Sequence, residues 1–180
     1  MTVADSLGEP IVVVPYDTAW PERYQRERDL ILDAIGAQLV RIEHIGSTAV
    51  PGLGAKPVID IIASLPTLQD HRQCVGPLRS LGYQHRGEAG IPGRQFFRKI
   101  DPDTGRRTCH LHLVAEADPF FDEHVLFRDF LHAHPAVADE YDRLKRTLAT
   151  RFGNDRESYT NAKASFISTV LGNAGRWARQ

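Results

Sequence analysis

Cysteine is scarce. Cys74 and Cys109 are the two in 180 residues, they lie far apart, and neither sits in a C-x-x-C pair. That excludes a disulfide framework and leaves reduced thiols as the expectation. Excess charge of one sign is also missing: 22 Lys and Arg stand against 23 Asp and Glu, for a net charge of -1. A general grip on nucleic acid needs many cations laid along the phosphates, so no such binding is expected. No stretch approaches the roughly 18 apolar residues that cross a bilayer. The opening MTVADSLGEP has neither a basic nor an apolar signal region, and the expectation is a cytoplasmic protein with no membrane partner. Internal repeats and low-complexity stretches are absent too.

What is present suits one domain. With 42% hydrophobic and 25% charged residues, a chain of this length buries a sizeable core. Residues 1–10 read as a polar lead-in and 11–175 as the domain. Ile11–Val14 is an apolar run ended by Pro15 and is expected as a buried strand. Pro21 opens a helix that Gly36 closes, with Tyr24, Ile31, Ala34 and Ile35 on one face. Strands are expected at 39–45 and 57–64, and a helix at 67–80 that Pro77 breaks or kinks. Two short strands, Tyr83–Arg86 and Gln95–Ile100, flank the loop GEAGIPG, and a strand follows at 107–115. From Pro119 the period turns helical: Phe120, His124, Phe127 and Leu131 mark one helix, Val137, Tyr141, Leu144 and Leu148 a second, and Tyr159, Ala162, Phe166 and Val170 a third. A mixed front half followed by a helical tail is an α+β layout.

The stretch RIEHIGSTAVPGLGAKPVIDII, residues 41–62, holds the chemistry. A strand ending at Ile45 runs into Gly46-Ser47 and a short helical turn. The N–H groups of such a turn, with the Ser47 and Thr48 hydroxyls, suit a phosphate or carboxylate, and Gly46 keeps the backbone open to it. The same turn also serves as an ordinary helix cap. On the next strand, period 2 puts Val58, Asp60 and Ile62 on one face. A carboxylate in that apolar run requires a cation, a metal or several donors; Lys56 or an arginine would satisfy it structurally.

This arrangement resembles the nucleotidyltransferase superfamily related to DNA polymerase β, whose mark is a Gly-Ser turn followed by an acid-x-acid pair holding two metal ions. Gly46-Ser47 matches the turn and Asp60 the first acid. Ile62 stands where the second acid belongs. At family level the blocks VVPYDTAWPERY, RIEHIGSTAVPGLGAKPVIDI, RGEAGIPGRQFFRK, HLHLV, LFRDFLHAHP and YTNAKASFI are similar to the GrpB family of bacterial proteins, whose domains also occur fused to dephospho-CoA kinases. The resemblance implies a nucleotidyltransferase-like mixed sheet with flanking helices and a C-terminal helical segment. It also implies a nucleotide or phosphate ligand.

In TCHLHLV, alternation sets Thr108, His110 and His112 on one face and Cys109 on the other. Two histidines at that spacing can ligate one metal from a strand. The resemblance makes one of them a stand-in for the superfamily's third acid; alternatively the face is half-exposed and both bond to neighbours. Magnesium prefers an oxygen cage, while imidazole suits zinc or manganese. Where a metal binds, the expectation is one Mg, Mn or Zn ion held by Asp60, His110 and His112, with Glu43 or His44 as an addition; Asp60 and His112 are the candidate catalytic pair. Phosphate-binding candidates are Gly46, Ser47, Thr48, Lys56, Arg94, Arg98 and Lys163, with Arg128 and Tyr159 closing the cleft. Three functions stay open: nucleotidyl transfer with a divalent ion, a non-catalytic nucleotide or anion-binding module, and a metal-dependent phosphoester hydrolase.

Overall fold

The computed structural model of the protein describes residues 10–179, so the expected lead-in lies almost wholly outside the described residues. In chain order the elements are α1 (Trp20–Ile35), β1 (Arg41–Ile45), β2 (Ile59–Leu65), α2 (His71–Ser80), β3 (Tyr83–His85), β4 (Arg94–Ile100), β5 (Arg107–Ala115), α3 (Pro119–Ala133), α4 (Pro135–Phe152), α5 (Arg156–Ala162) and α6 (Ala164–Trp177). Single 3₁₀ turns lie at Gly36–Gln38, Ser47–Ala49 and Leu68–Asp70. The sheet order is β1-β2-β5-β4-β3. Only the central pair β2 and β5 is parallel, and the outer pairings are antiparallel. The α+β expectation holds.

Local chemistry sets most element ends. The Asp17 carboxylate accepts from the Ala19 N–H at 2.9 Å just before α1, and Asp118 accepts from the Phe120 N–H at 2.9 Å at the start of α3. Both acids occupy or adjoin orphan donors of a first turn, with a proline close behind. Pro77 does not break α2; the helix runs through it, held on both sides by buried Cys74 and Leu78. Ile11–Val14 is not a strand. Its backbone pairs through one bridge from Val14 to Ala55 and through the Ile11 N–H on the Gly153 carbonyl at 3.0 Å, while Val12 is exposed. An apolar run becomes a strand only beside a free sheet edge, and this one lies over the loop before β2 instead. The third tail helix is two, α5 and α6, with Lys163 at their junction.

The two sheet faces have different fates. Ile59, Ile61, Ala63, Cys109, Leu111, Leu113 and Phe97 face α1 and α2 and form the main core with Trp20, Ile31, Ile35 and Leu78. Each fully buried large side chain there contributes about 1.5–3 kcal/mol, so this layer carries much of the stability. On the opposite face, Ile45, Ile62 and Val114 pack beneath Phe121 of α3. Helices α3, α4 and α6 make their own apolar cluster around Phe130, Leu131, Tyr141 and Val170. The rest of that sheet face, around Asp60 and the histidines, is left facing a hollow under the helical tail. Among the described residues no helix is long and apolar enough to cross a membrane.

Candidate functional site

The Gly-Ser turn and Asp60 are built against each other. Gly46 has φ 72° and ψ -173°, a conformation open in practice only to glycine. A Cβ on it would lie 2.7 Å from Asp60 Oδ2, so the turn's backbone is pressed onto the carboxylate. The other oxygen is also engaged: Asp60 Oδ1 lies 2.9 Å from His110 Nδ1. The parallel register of β2 and β5 sets these residues side by side, with Ile62 beside His112. Burial alone would push the Asp60 carboxyl up. The hydrogen bond and charge of His110, with His112 and Lys56, outweigh it and hold the group at about 2. Asp60 is therefore an anion, satisfied first by an imidazole.

His112 takes a different partner. Its Nδ1 accepts from Arg94 at 3.3 Å, and the same guanidinium donates to the Glu88 and Ala89 carbonyls at 3.0 and 3.2 Å. Burial holds His112 down to about 3, so it is a neutral ring. A guanidinium on one nitrogen of a neutral imidazole is a poor setting for a metal cation. Burial also lowers His124, whose Nδ1 lies 2.8 Å from the Phe120 carbonyl.

These groups line one cavity of about 570 Å³ between the sheet and the tail. Gly46, Ser47, Thr48, Lys56, Asp60, Arg94, His110, His112 and Lys163 are all in its wall. Thr48 is buried and its hydroxyl sits 2.9 Å from His44 Nε2. Tyr159 is in the wall as well, with Lys163 Nζ 4.5 Å and Lys56 Nζ 5.5 Å from its ring centroid.

Other expected residues lie elsewhere. Arg98 shares a sheet face with Arg94 but is not in the wall; it donates to Gln84 at 3.0 Å. Arg128 ties α3 to β1, donating to Glu43 at 2.7 Å and to the His44 carbonyl at 2.8 Å. That occupies Glu43, while His44 stacks on Tyr24 on the other face. Neither can join Asp60. Among the described residues, no group of three or more His, Cys, Asp and Glu is disposed to hold a metal ion.

Sequence reasoning missed Lys145. This residue is 3% exposed, donates from Nζ to the Gly54 carbonyl, and stands 4.9 Å from the Tyr141 ring centroid. Burial lowers it to about 7, and burial followed by the charge of Lys56 lowers Lys163 to about 8. In the sequence Lys145 looks like a solvated helix charge; its one signal is that it lies four residues after Tyr141, on the apolar face. Phe96, Phe120, Tyr141, Arg107 and Arg156 are further wall residues that the pattern did not reveal as such.

Comparison with known proteins adds four findings. A family model described as GrpB protein matches residues 10–173. A UPF0157 protein of Pseudomonas aeruginosa is 43% identical over 165 residues, spanning 91% of this chain and 67% of that protein. Among solved structures, the conserved protein GrpB from Enterococcus faecalis superposes with a TM-score of 0.85 at 30% identity, covering 94% of this chain and all of that one. A mutant of the Cid1 poly(U) polymerase, solved bound to MgATP, superposes with a TM-score of 0.53 at 9% identity over 77% of this chain and 45% of its own. The last likeness extends to the fold and no further.

Proposed function

The chain belongs to the GrpB family, and on that premise we propose that it binds a phosphorylated ligand of nucleotide type in the cavity between the sheet and the helical tail. One observation carries the reading: Arg94, Lys145 and Lys163, each lowered by burial, line one cavity together with Lys56, Arg107 and Arg156, and the acids of that wall among the described residues are Asp60 and Glu123. Desolvated cations such as Arg94, Lys145 and Lys163 are stabilised by an anion brought among them. The aromatic side chains Phe96, Phe120 and Tyr159 offer surfaces on which a base can stack. A volume of 570 Å³ falls within the roughly 300–1,000 Å³ usual for small-molecule sites. The distant fold likeness to a polymerase that holds MgATP makes nucleotides the first ligands to try.

The donor set does not fit a two-ion cage. Asp60 has an oxygen on His110, the next residue on its face is Ile62, and His112 accepts from Arg94. No transfer or hydrolysis step through a metal is therefore assigned, and the reading is of a binding site.

Thermal melting of the purified chain against the four NTPs, the corresponding monophosphates and inorganic tripolyphosphate tests it. A ligand that binds only the native state raises Tm. At least one of these is expected to do so, and Lys163→Gln to reduce the effect. Unmoved melting across the panel would remove the proposal.

A further inference from the structure

We propose that two lysines of the helical tail, buried Lys145 and half-buried Lys163, neutralise the ligand's charge directly, so that the site takes a metal-free polyanion in preference to its magnesium complex. This rests on the ligand reading above and goes further, to the ionic form recognised. Bound magnesium commonly fills this role at phosphate sites, with carboxylates on the protein side holding the ion. Here the described wall offers two carboxylates, Glu123 and Asp60, and Asp60 is already bonded to His110.

Two lysines, buried Lys145 and half-buried Lys163, face the same hollow from different elements. Lys145 comes from the middle of α4 and Lys163 from the junction of α5 and α6. Among the described residues no ion pair joins either one to a carboxylate. Lys145 Nζ donates to the Gly54 carbonyl, and the other groups around it are Asp142, Arg146, Lys163 and the Tyr141 ring; Asp142 Oδ2 is taken up by Arg146 at 2.7 Å while its Oδ1 has no hydrogen-bond partner among the described residues. Those around Lys163 are Lys56, Asp60 and the Tyr159 ring. An ammonium withdrawn from water without an ion pair is costly, and two such lysines in one cavity wall point to an anion that arrives with the ligand. Burial already lowers Lys145 to about 7 and Lys163 to about 8. An incoming polyanion raises both again, so binding near neutral pH takes up protons.

The test is titration calorimetry on the full chain with ATP and with inorganic tripolyphosphate, in divalent-depleted buffer and again with magnesium added. Expected are binding without divalent ions, weaker binding once magnesium masks the phosphates, and a binding enthalpy at about pH 8 that varies with the buffer's ionisation enthalpy as protons are taken up. Lys145→Met and Lys163→Met are each expected to weaken binding roughly tenfold or more, the usual scale for a charged hydrogen bond. Should Lys145→Met fail to fold, Lys163→Met carries the comparison, with Lys163→Arg expected to retain most of the affinity. Binding that needs magnesium or is tightened by it, or variants that bind as tightly as the parent, overturns the inference and leaves the ligand reading standing. No binding of either probe in any condition removes both.

Discussion

Replacing Gly46 by alanine perturbs the point on which the site turns. Two costs can be separated. At φ 72° and ψ -173°, a residue with a side chain is strained by about 1–3 kcal/mol. The new methyl would also lie 2.7 Å from Asp60 Oδ2 and 3.1 Å from its Cβ, so the carboxylate must swing away. That breaks a hydrogen bond to His110 that begins at 2.9 Å and, with a charged partner, contributes about 1.5–3 kcal/mol. Together the expected loss is about 3–5 kcal/mol, or a fall in Tm of roughly 10 °C for a domain of this size. Urea unfolding measures it directly. In an Asp60→Ala background the clash with the carboxylate and the loss of its hydrogen bond disappear, and the same Gly46→Ala change should cost less, the strain of about 1–3 kcal/mol plus what remains of the 3.1 Å contact with the Cβ at position 60. A loss below about 1 kcal/mol in the parent, or the same loss in both backgrounds, would refute the account of a turn pressed onto Asp60.

Three other outcomes follow from the same geometry. The Asp60 carboxyl is lowered from 3.8 to about 2, and a lowered acid stabilises above its free value and loses that stabilisation as pH falls through its folded one. The stability gap between the parent and Asp60→Asn should therefore be full above about pH 4 and close by about pH 2 in urea titrations; a constant gap across that window contradicts the assignment. Ile62→Asp introduces a second acid on the Asp60 face of β2 but places it among Ile45, Val114 and Phe121. It should destabilise by about 3 kcal/mol or more and gain no magnesium site, and native-like stability with magnesium binding would show that packing of Ile62 is not what closes that position. Arg128→Ala releases α3 from Glu43 and the His44 carbonyl. A loss of about 1–3 kcal/mol is expected with ligand affinity unchanged, since Arg128 lies outside the cavity wall; calorimetry on the folded variant checks the second part.

Much of this was readable along the chain because it depends on neighbours in sequence. Period 2 put Asp60 and Ile62 on one face and His110 with His112 on another strand's matching face, and the glycine before Ser47 signalled a backbone that a side chain would obstruct. The helical tail was visible from its 3.6-residue period. Pro77 was misread because propensity says nothing of the buried Cys74 and Leu78 that hold the helix on either side of it. Ile11–Val14 was misread because hydrophobicity does not say whether a sheet edge is free.

The sequence by itself determined the family, the α+β layering, the glycine-serine turn and the absence of a second acid on β2, since these follow from residue identity and local periodicity. Only the tertiary structure decided which charges meet. It paired Asp60 with His110 and His112 with Arg94, sent Arg98 to Gln84 and Arg128 to Glu43, and brought Lys145 from deep in the tail to the wall of the cavity. Coulomb and hydrogen-bond energies act over a few ångströms of space, and that separation is set by how helices far along the chain pack across the sheet.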